Sequence, residues 1–246
     1  MPSEPKPEPP PTDIRVVPVG HLDLRFVPRA WPFADQRRAE IAAHFADLRD
    51  ATPDLWNGRV LLLHRWALAH GGFEGDCLET DYASMLAWRD WGFPDNSVRN
   101  CFAQGALRSA DGAFLLGVMS PHTANPGQIY FPSGTPDPSN VRDGALDMDA
   151  NVMRELAEET GLGAEDVEAR PGWHAVFAGP RIGLMKVLQS RQREAALRSR
   201  IMDFLARQER PELAGIHVAR GPADLHAKMP SFVPAFLHAV WETGRN

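Results

Sequence analysis

Cysteine is nearly absent from this chain of 246 residues, which carries two, Cys77 and Cys101, beside nine histidines. Neither stands in a C-x-x-C pair or a Cys/His cluster, so the sequence supports no disulfide framework and no zinc site. Two buried thiols in a cytoplasmic protein are expected instead. Lysine is almost as scarce, with Lys6, Lys186 and Lys228 the only three. The cationic work therefore falls to arginine, whose planar fork suits bidentate contacts to phosphate. No run of about 18 apolar residues occurs, so no membrane span is expected. The start lacks the basic and apolar stretches of a signal peptide. The formal charge is −6 and the pI near 5.8. Sequence-independent nucleic-acid binding needs a basic surface, so no DNA or RNA partner is expected.

What is present is the composition of a soluble globular protein, 43% hydrophobic and 24% charged, long enough for one large or two small domains. Residues 1–13 form a tail rich in proline, with Pro2, Pro5, Pro7, Pro9, Pro10 and Pro11 among alternating charges, and are expected to be disordered. Residues 14–97 read as an accessory α/β layer. It holds strands over Ile14–Val19 and Leu22–Val27, a helix over Ala34–Arg49, apolar runs at Val60–Leu63 and Trp66–Leu68, and a helix over Thr80–Trp91. From Val98 the texture changes to hairpins, Val98–Leu107 with Ala113–Met119 and later Trp173–Phe177 with Arg181–Leu188. A short strand is expected at Gln128–Pro132 and another at Ile216–Ala219. Helices are predicted over Ala150–Thr160, capped by Asp149 or a neighbour, over Arg191–Gln208 and over Phe232–Trp241.

The most informative run is Arg154-Glu155-Leu156-Ala157-Glu158-Glu159-Thr160-Gly161-Leu162. Positions i, i+3 and i+4 share a helix face, so Glu155, Glu158 and Glu159 project together and repel one another unless a cation sits among them. Magnesium, a hard cation that takes carboxylate oxygens and shares its shell with substrate phosphates, is the natural candidate, with manganese an alternative. Gly161 falls where a left-handed helix cap is expected. Upstream, Phe131-Pro132-Ser133-Gly134 forms a turn after an apolar strand.

This arrangement resembles the Nudix box, G-x5-E-x7-R-E-U-x-E-E-x-G-U with U aliphatic. It matches at Arg154, Glu155, Leu156, Glu158, Glu159, Gly161 and Leu162, with Gly134 in place of the box's first glycine. Nineteen residues separate Gly134 from Arg154 where the family pattern has thirteen, an insertion of six. The position of the early glutamate holds Leu146, with Asp147 and Asp149 nearby. The resemblance implies an α+β fold: a Nudix-type α/β/α sandwich with a mixed sheet over residues 98–246, carrying the accessory layer at its N-terminus. It also implies a diphosphatase that splits a nucleoside diphosphate linked to another moiety, such as a nucleotide sugar or coenzyme A. Metal ligands implied are Glu155, Glu158, Glu159 and the Gly134 carbonyl, with Arg154 orienting a carboxylate. A small anionic nucleotide-type substrate is the implied partner.

The general base is left open between Glu212 and Glu209, in the late segment Glu209-Arg210-Pro211-Glu212, with Asp224 a weaker competitor. Gly127 to Gly134 is similar to the motif before the box in coenzyme A diphosphatases but lacks its arginine. Leu55-Trp56-Asn57-Gly58 and Thr80-Asp81-Tyr82 loosely resemble segments of enzymes that split UDP-sugars. His122 near the turn, and Trp88, Trp91 and Trp173, are candidates for phosphate contact and base stacking, with core packing the alternative for each tryptophan. Two further readings stand beside the enzyme. One is a non-catalytic Nudix-fold binding module, and the other makes residues 14–97 a partner or homodimer surface.

Overall fold

The computed structural model describes residues 13–243 apart from Asp54. The proline-rich tail assigned to residues 1–13 lies outside the described residues, save Asp13. The chain begins with β1 (Ile14–Val19) and β2 (Leu22–Phe26), then α1 (Pro32–Gln36) and α2 (Arg38–Ala51). The single helix predicted over Ala34–Arg49 is thus broken at Arg37, whose φ of −108° leaves the helical region. Next come β3 (Arg59–Ala69), β4 (Gly72–Asp81) and α3 (Tyr82–Asp90). The two apolar runs of β3 are one strand with a register shift between Leu63 and Arg65. The helix predicted from Thr80 begins only at Tyr82, because Asp81 ends β4 and caps α3 by accepting from the Ser84 N–H.

The second part opens with β5 (Asn100–Arg108), β6 (Phe114–Met119), β7 (Ile129–Tyr130), β8 (Ser133–Gly134), β9 (Val141–Arg142) and β10 (Ala145–Leu146). It continues with α4 (Met148–Thr160), β11 (Val167–Ala169), β12 (Trp173–Ala178), β13 (Arg181–Ser190), α5 (Glu194–Leu205), β14 (Leu213–Ala219) and α6 (Phe232–Thr243). Among the described residues, a nine-stranded mixed sheet runs β1-β12-β13-β5-β6-β14, with β7, β8 and β11 paired at its sides. Only β13 and β5 are parallel in it. Both are buried on two faces and read accordingly as near-continuous apolar runs.

Alternation along β5 sets the layers. A Cβ on Gly105 would meet Val152 of α4 at 3.2 Å, while Phe102 points the other way and packs on Phe232 of α6, ring centroids 5.1 Å apart. Helices therefore cover both faces, and the expected α/β/α sandwich with a mixed sheet is what the chain forms. The accessory layer is a five-stranded sheet ordered β3-β4-β2-β10-β9. Here alternation again divides the work. Leu61, Leu63, Phe73 and Cys77 join the main core, while Val60, Leu62 and Leu78 pack with Ile41, Phe45 and Leu86 under α2 and α3.

The two sheets do not follow the division at residue 97. β1 pairs antiparallel with β12 across six registered residues of the large sheet, whereas β9 and β10 from the insertion extend the small one. The Phe26 N–H donates to the Gly144 carbonyl at 2.9 Å and the Leu61 N–H to the Pro136 carbonyl at 2.8 Å. Leu146, standing where a carboxylate is expected, is buried in the main core at 8% exposure. An apolar side chain there seals the junction the insertion makes. Cys77 and Cys101 are buried and free, and burial pushes the Cys77 thiol up to about 12.

Helix α4 ends on Gly161 at φ +70°, where an added Cβ would sit 2.4 Å from the Phe204 ring of α5. Gly161→Ala is expected to destabilise the fold by about 1–3 kcal/mol, from left-handed strain and the clash together. Urea unfolding of the variant beside the parent protein checks this.

Candidate functional site

Helix α4 is placed by three local devices. Asp147 caps it by accepting from the Ala150 N–H at 2.9 Å, Asn151 donates to Asn140 at 3.3 Å, and Val152 and Leu156 bury an apolar stripe against the sheet. The cap is Asp147, the neighbour of the Asp149 named from sequence. Asp149 is exposed and pairs with Lys186 at 3.1 Å. Each of the two aspartates thus has a structural partner.

With the stripe fixed, Glu155 and Glu159 are carried one turn apart against the Phe131–Gly134 turn. The Ser133 N–H donates to Glu159 at 2.9 Å, and the other oxygen of that carboxylate is buried with no hydrogen-bond partner. At Gly134 an added Cβ would lie 2.0 Å from the near oxygen of Glu155, so a larger residue would displace that side chain from its present place. Glu158 points outward, 59% exposed. Arg154 bridges the group. It lies 2.9 Å from Glu155, 3.5 Å from Glu158 at i+4 and 3.8 Å from Asp137.

The electrostatics are those of crowded, dehydrated carboxylates. Burial lifts Glu155 to about 7, with Arg154 opposing and Glu158, Glu212 and Asp137 adding to the rise. Burial holds Glu159 well above the usual carboxylate range, the Ser133 N–H opposing and Glu212, Glu155 and Glu158 reinforcing. Glu212 is exposed over the residue as a whole, yet desolvation at its carboxyl is the first cause of its raised pKa, with Glu158 next and His122 opposing. The segment carrying Glu212 is tied to the end of β6 by the Ser120 N–H to the Glu212 carbonyl and the Ser120 hydroxyl to the Pro211 carbonyl, both 2.8 Å.

Among the described residues no three His, Cys, Asp or Glu side chains form a ready metal cage. The donors still fit a hard divalent cation. Such an ion needs only one or two carboxylates when waters and substrate oxygens complete its shell. A buried carboxylate oxygen without a partner, a glycine that clears space beside Glu155, and carboxyls that raise one another's pKa all suit it.

Of these groups, Gly134, Asp137, Arg154, Glu155 and Glu212 line a cleft of about 390 Å³, whereas Glu158 and Glu159 do not. The accessory layer supplies Trp56, Tyr82 and Phe93 to the same cleft. The two segments noted from sequence meet there: the Ala83 N–H donates to the Asn57 side chain at 2.8 Å and the Tyr82 N–H to the Gly58 carbonyl at 2.9 Å. The Trp56 and Tyr82 rings stand 5.8 Å apart.

The other sequence candidates lie away from the cleft or, like Trp88, are held in packing. Glu209 is exposed and does not line the cleft. Asp224 accepts from the Arg220 and Gly221 N–H groups and serves its own turn. Trp88 lines the cleft but is fully buried, donating to the Asp95 carbonyl at 2.9 Å. Trp173 packs in the core beneath Lys186, and Trp91 meets Phe33 edge-on and lies under the Arg37 guanidinium. Cleft residues not singled out from sequence include Asn100, Gln104, Arg181 and Phe232. For two of them a signal was present: Asn100 and Gln104 are, with Arg99, the polar interruptions in the apolar strand Val98–Leu107.

Raised carboxyl pKa values give the metal-free protein a defined pH response. A native state that binds protons more tightly than the unfolded chain loses stability as pH rises, here from the ordinary glutamate value of 4.5 toward about 7 for Glu155. The melting temperature is expected to fall by a few degrees between pH 5 and pH 8, and Glu155→Gln is expected to flatten the fall. Thermal melts at the two pH values measure it; an equal or steeper fall in the variant contradicts it.

No family model and no curated protein matches the chain. Among solved structures, a Nudix hydrolase from M. smegmatis, RenU, is similar at 19% identity, covering 59% of this chain and 87% of that one with a TM-score of 0.40. The MutT protein from Methanosarcina mazei Go1 is similar at 15% identity over 60% of this chain and 96% of that one, TM-score 0.37.

Proposed function

We propose that this chain is a Nudix-type hydrolase that uses a divalent cation, magnesium or manganese, to split a diphosphate linking a nucleoside to another group. The observation that carries the reading is the pair Glu155 and Glu159. They are largely buried carboxylates on one helix face, packed against a glycine turn, with Glu155 lining the cleft and one oxygen of Glu159 buried and unpartnered. Burying such groups is costly unless they serve an ion.

A bound cation would be held by Glu155, Glu159 and, from the rim, Glu158, with the Gly134 carbonyl beside them. When bound it screens the phosphate oxygens and lowers the pKa of a coordinated water. Arg154 steers Glu155 and Glu158 through its two ion pairs. Glu212 is the base candidate the geometry favours, since it lines the cleft and senses Glu158, whereas Glu209 does not line it. Its carboxylate accepts a proton from the attacking water. The aromatic end of the cleft receives the rest of a small anionic substrate.

One observation favours the second reading, a binding module without turnover. Leu146 replaces the early carboxylate, and Asp147 and Asp149 are committed to a cap and to Lys186. A panel of UDP-sugars, ADP-ribose, dinucleoside polyphosphates, NADH and coenzyme A esters, with released phosphate products measured, separates the two. Metal-dependent release from at least one compound is expected; clear binding with no release from any of them points to the module. With the compound that is turned over, Glu158→Gln and Glu159→Gln are each expected to abolish hydrolysis with the fold intact. Glu212→Gln should lower kcat by about 10²–10⁴. Full activity in the Glu158 and Glu159 variants sinks the metal assignment.

A further inference from the structure

Strand β5 presents Asn100, Phe102 and Gln104 on one face, and all three line the cleft. Gln104 is 1% exposed, and its side-chain carbonyl oxygen has no hydrogen-bond partner. The corresponding oxygen of Asn100 is likewise buried and without a partner. Buried polar atoms are nearly always paired in folded proteins. Two unmatched acceptors on one strand face, both bordering one cavity, mark positions that a ligand satisfies.

Their spacing limits what that ligand is. Four strand residues span about 13 Å, so the two amides cannot read one ring or one phosphate together. Gln104 stands at the carboxylate end, since it is registered opposite Ser133. Asn100 stands at the far end, registered opposite Arg181. Between and beside them the wall is aromatic. The Phe102 and Phe232 rings lie 5.1 Å apart, and the Arg181 guanidinium carbon is 6.0 Å from the Phe93 ring centre and 5.9 Å from that of Phe232. Phe93 comes from the accessory layer and holds φ at +58°, a conformation rarely adopted by a bulky side chain. Strain of this kind persists where surrounding structure enforces it, and it gathers at ligand sites.

We infer that Asn100 and Gln104 are specificity-determining residues that accept hydrogen bonds from the two ends of a nucleoside lying along β5. A ribose hydroxyl donates to Gln104, a base N–H donates to Asn100, and the base stacks in the aromatic wall completed by Phe93. A nucleoside carries a flat ring and hydrogen-bond donors at the required separation. A hexose phosphate has the donors without the ring. The orientation rests on the diphosphatase reading, which puts the phosphates at the Glu155 end.

The test reads binding and not turnover. The metal-free full chain is titrated with the 5′-monophosphates of adenosine and cytidine and with glucose 1-phosphate, followed by tryptophan fluorescence and calorimetry. The nucleotides are expected to bind at least about tenfold more tightly than the sugar phosphate. Asn100→Leu and Gln104→Leu should each weaken nucleotide binding by about tenfold, the loss of one hydrogen bond to a buried acceptor. Asn100→Asp, which keeps an acceptor oxygen, should retain most of it. Thermal melts establish that each variant is folded, and Asn100, only partly buried, supplies the result if Gln104→Leu is not. Equal affinity for glucose 1-phosphate, or unchanged nucleotide binding in the folded leucine variants, overturns the inference. Nucleotide selectivity without hydrolysis of any panel compound would instead leave this inference standing and remove the diphosphatase.

Discussion

The structure turns on the hydrogen bond from the Ser133 N–H to Glu159, a carboxylate that is 3% exposed. It fastens helix α4 to the Phe131–Gly134 turn, and through that turn to β5, which β8 pairs at Ala103 and Gln104. A carboxyl buried this deeply needs partners, and the single backbone donor satisfies one of its two oxygens. The helix, already set by its cap and its apolar stripe, meets the glycine turn at this contact.

The accessory layer is held by an equally simple constraint, the two-faced use of β3 and β4. Alternate residues feed two hydrophobic cores, so the layer cannot move without opening both. The inserted loop strengthens the connection by adding β9 and β10 to the smaller sheet and burying Leu146. A departure from the box pattern therefore has a packing role. The same junction brings Trp56, Tyr82 and Phe93 to the cleft, so the elements that join the sheets also shape the ligand space.

Legibility in the sequence followed the range of the interactions. The spacing of Glu155, Glu158 and Glu159 with Gly161 was visible because a helix period is local, and so were the β5–β6 hairpin and the helix over α4. Strand β4 was missed because Glu74, Asp76 and Glu79 disguise its alternation, although Arg65 and Arg59 across the ladder pair with two of them. The short strands β10 and β11 were missed because β2 and β13, with which they pair, lie far along the chain. Of the late carboxylates, only tertiary placement separated Glu212 at the cleft from Glu209 in solvent.

By itself the sequence determined the α+β class, the helical carboxylate face and the glycine turn beside it, because 3.6-residue periodicity and backbone sterics act over a few residues. Tertiary structure alone decided which carboxylates are dehydrated, which aromatic residues meet them, and that Asn100 and Gln104 face a cavity. Burial and desolvation depend on chain segments brought together from opposite ends of the sequence. The energetic state of a side chain is set by those neighbours, and no local pattern records them.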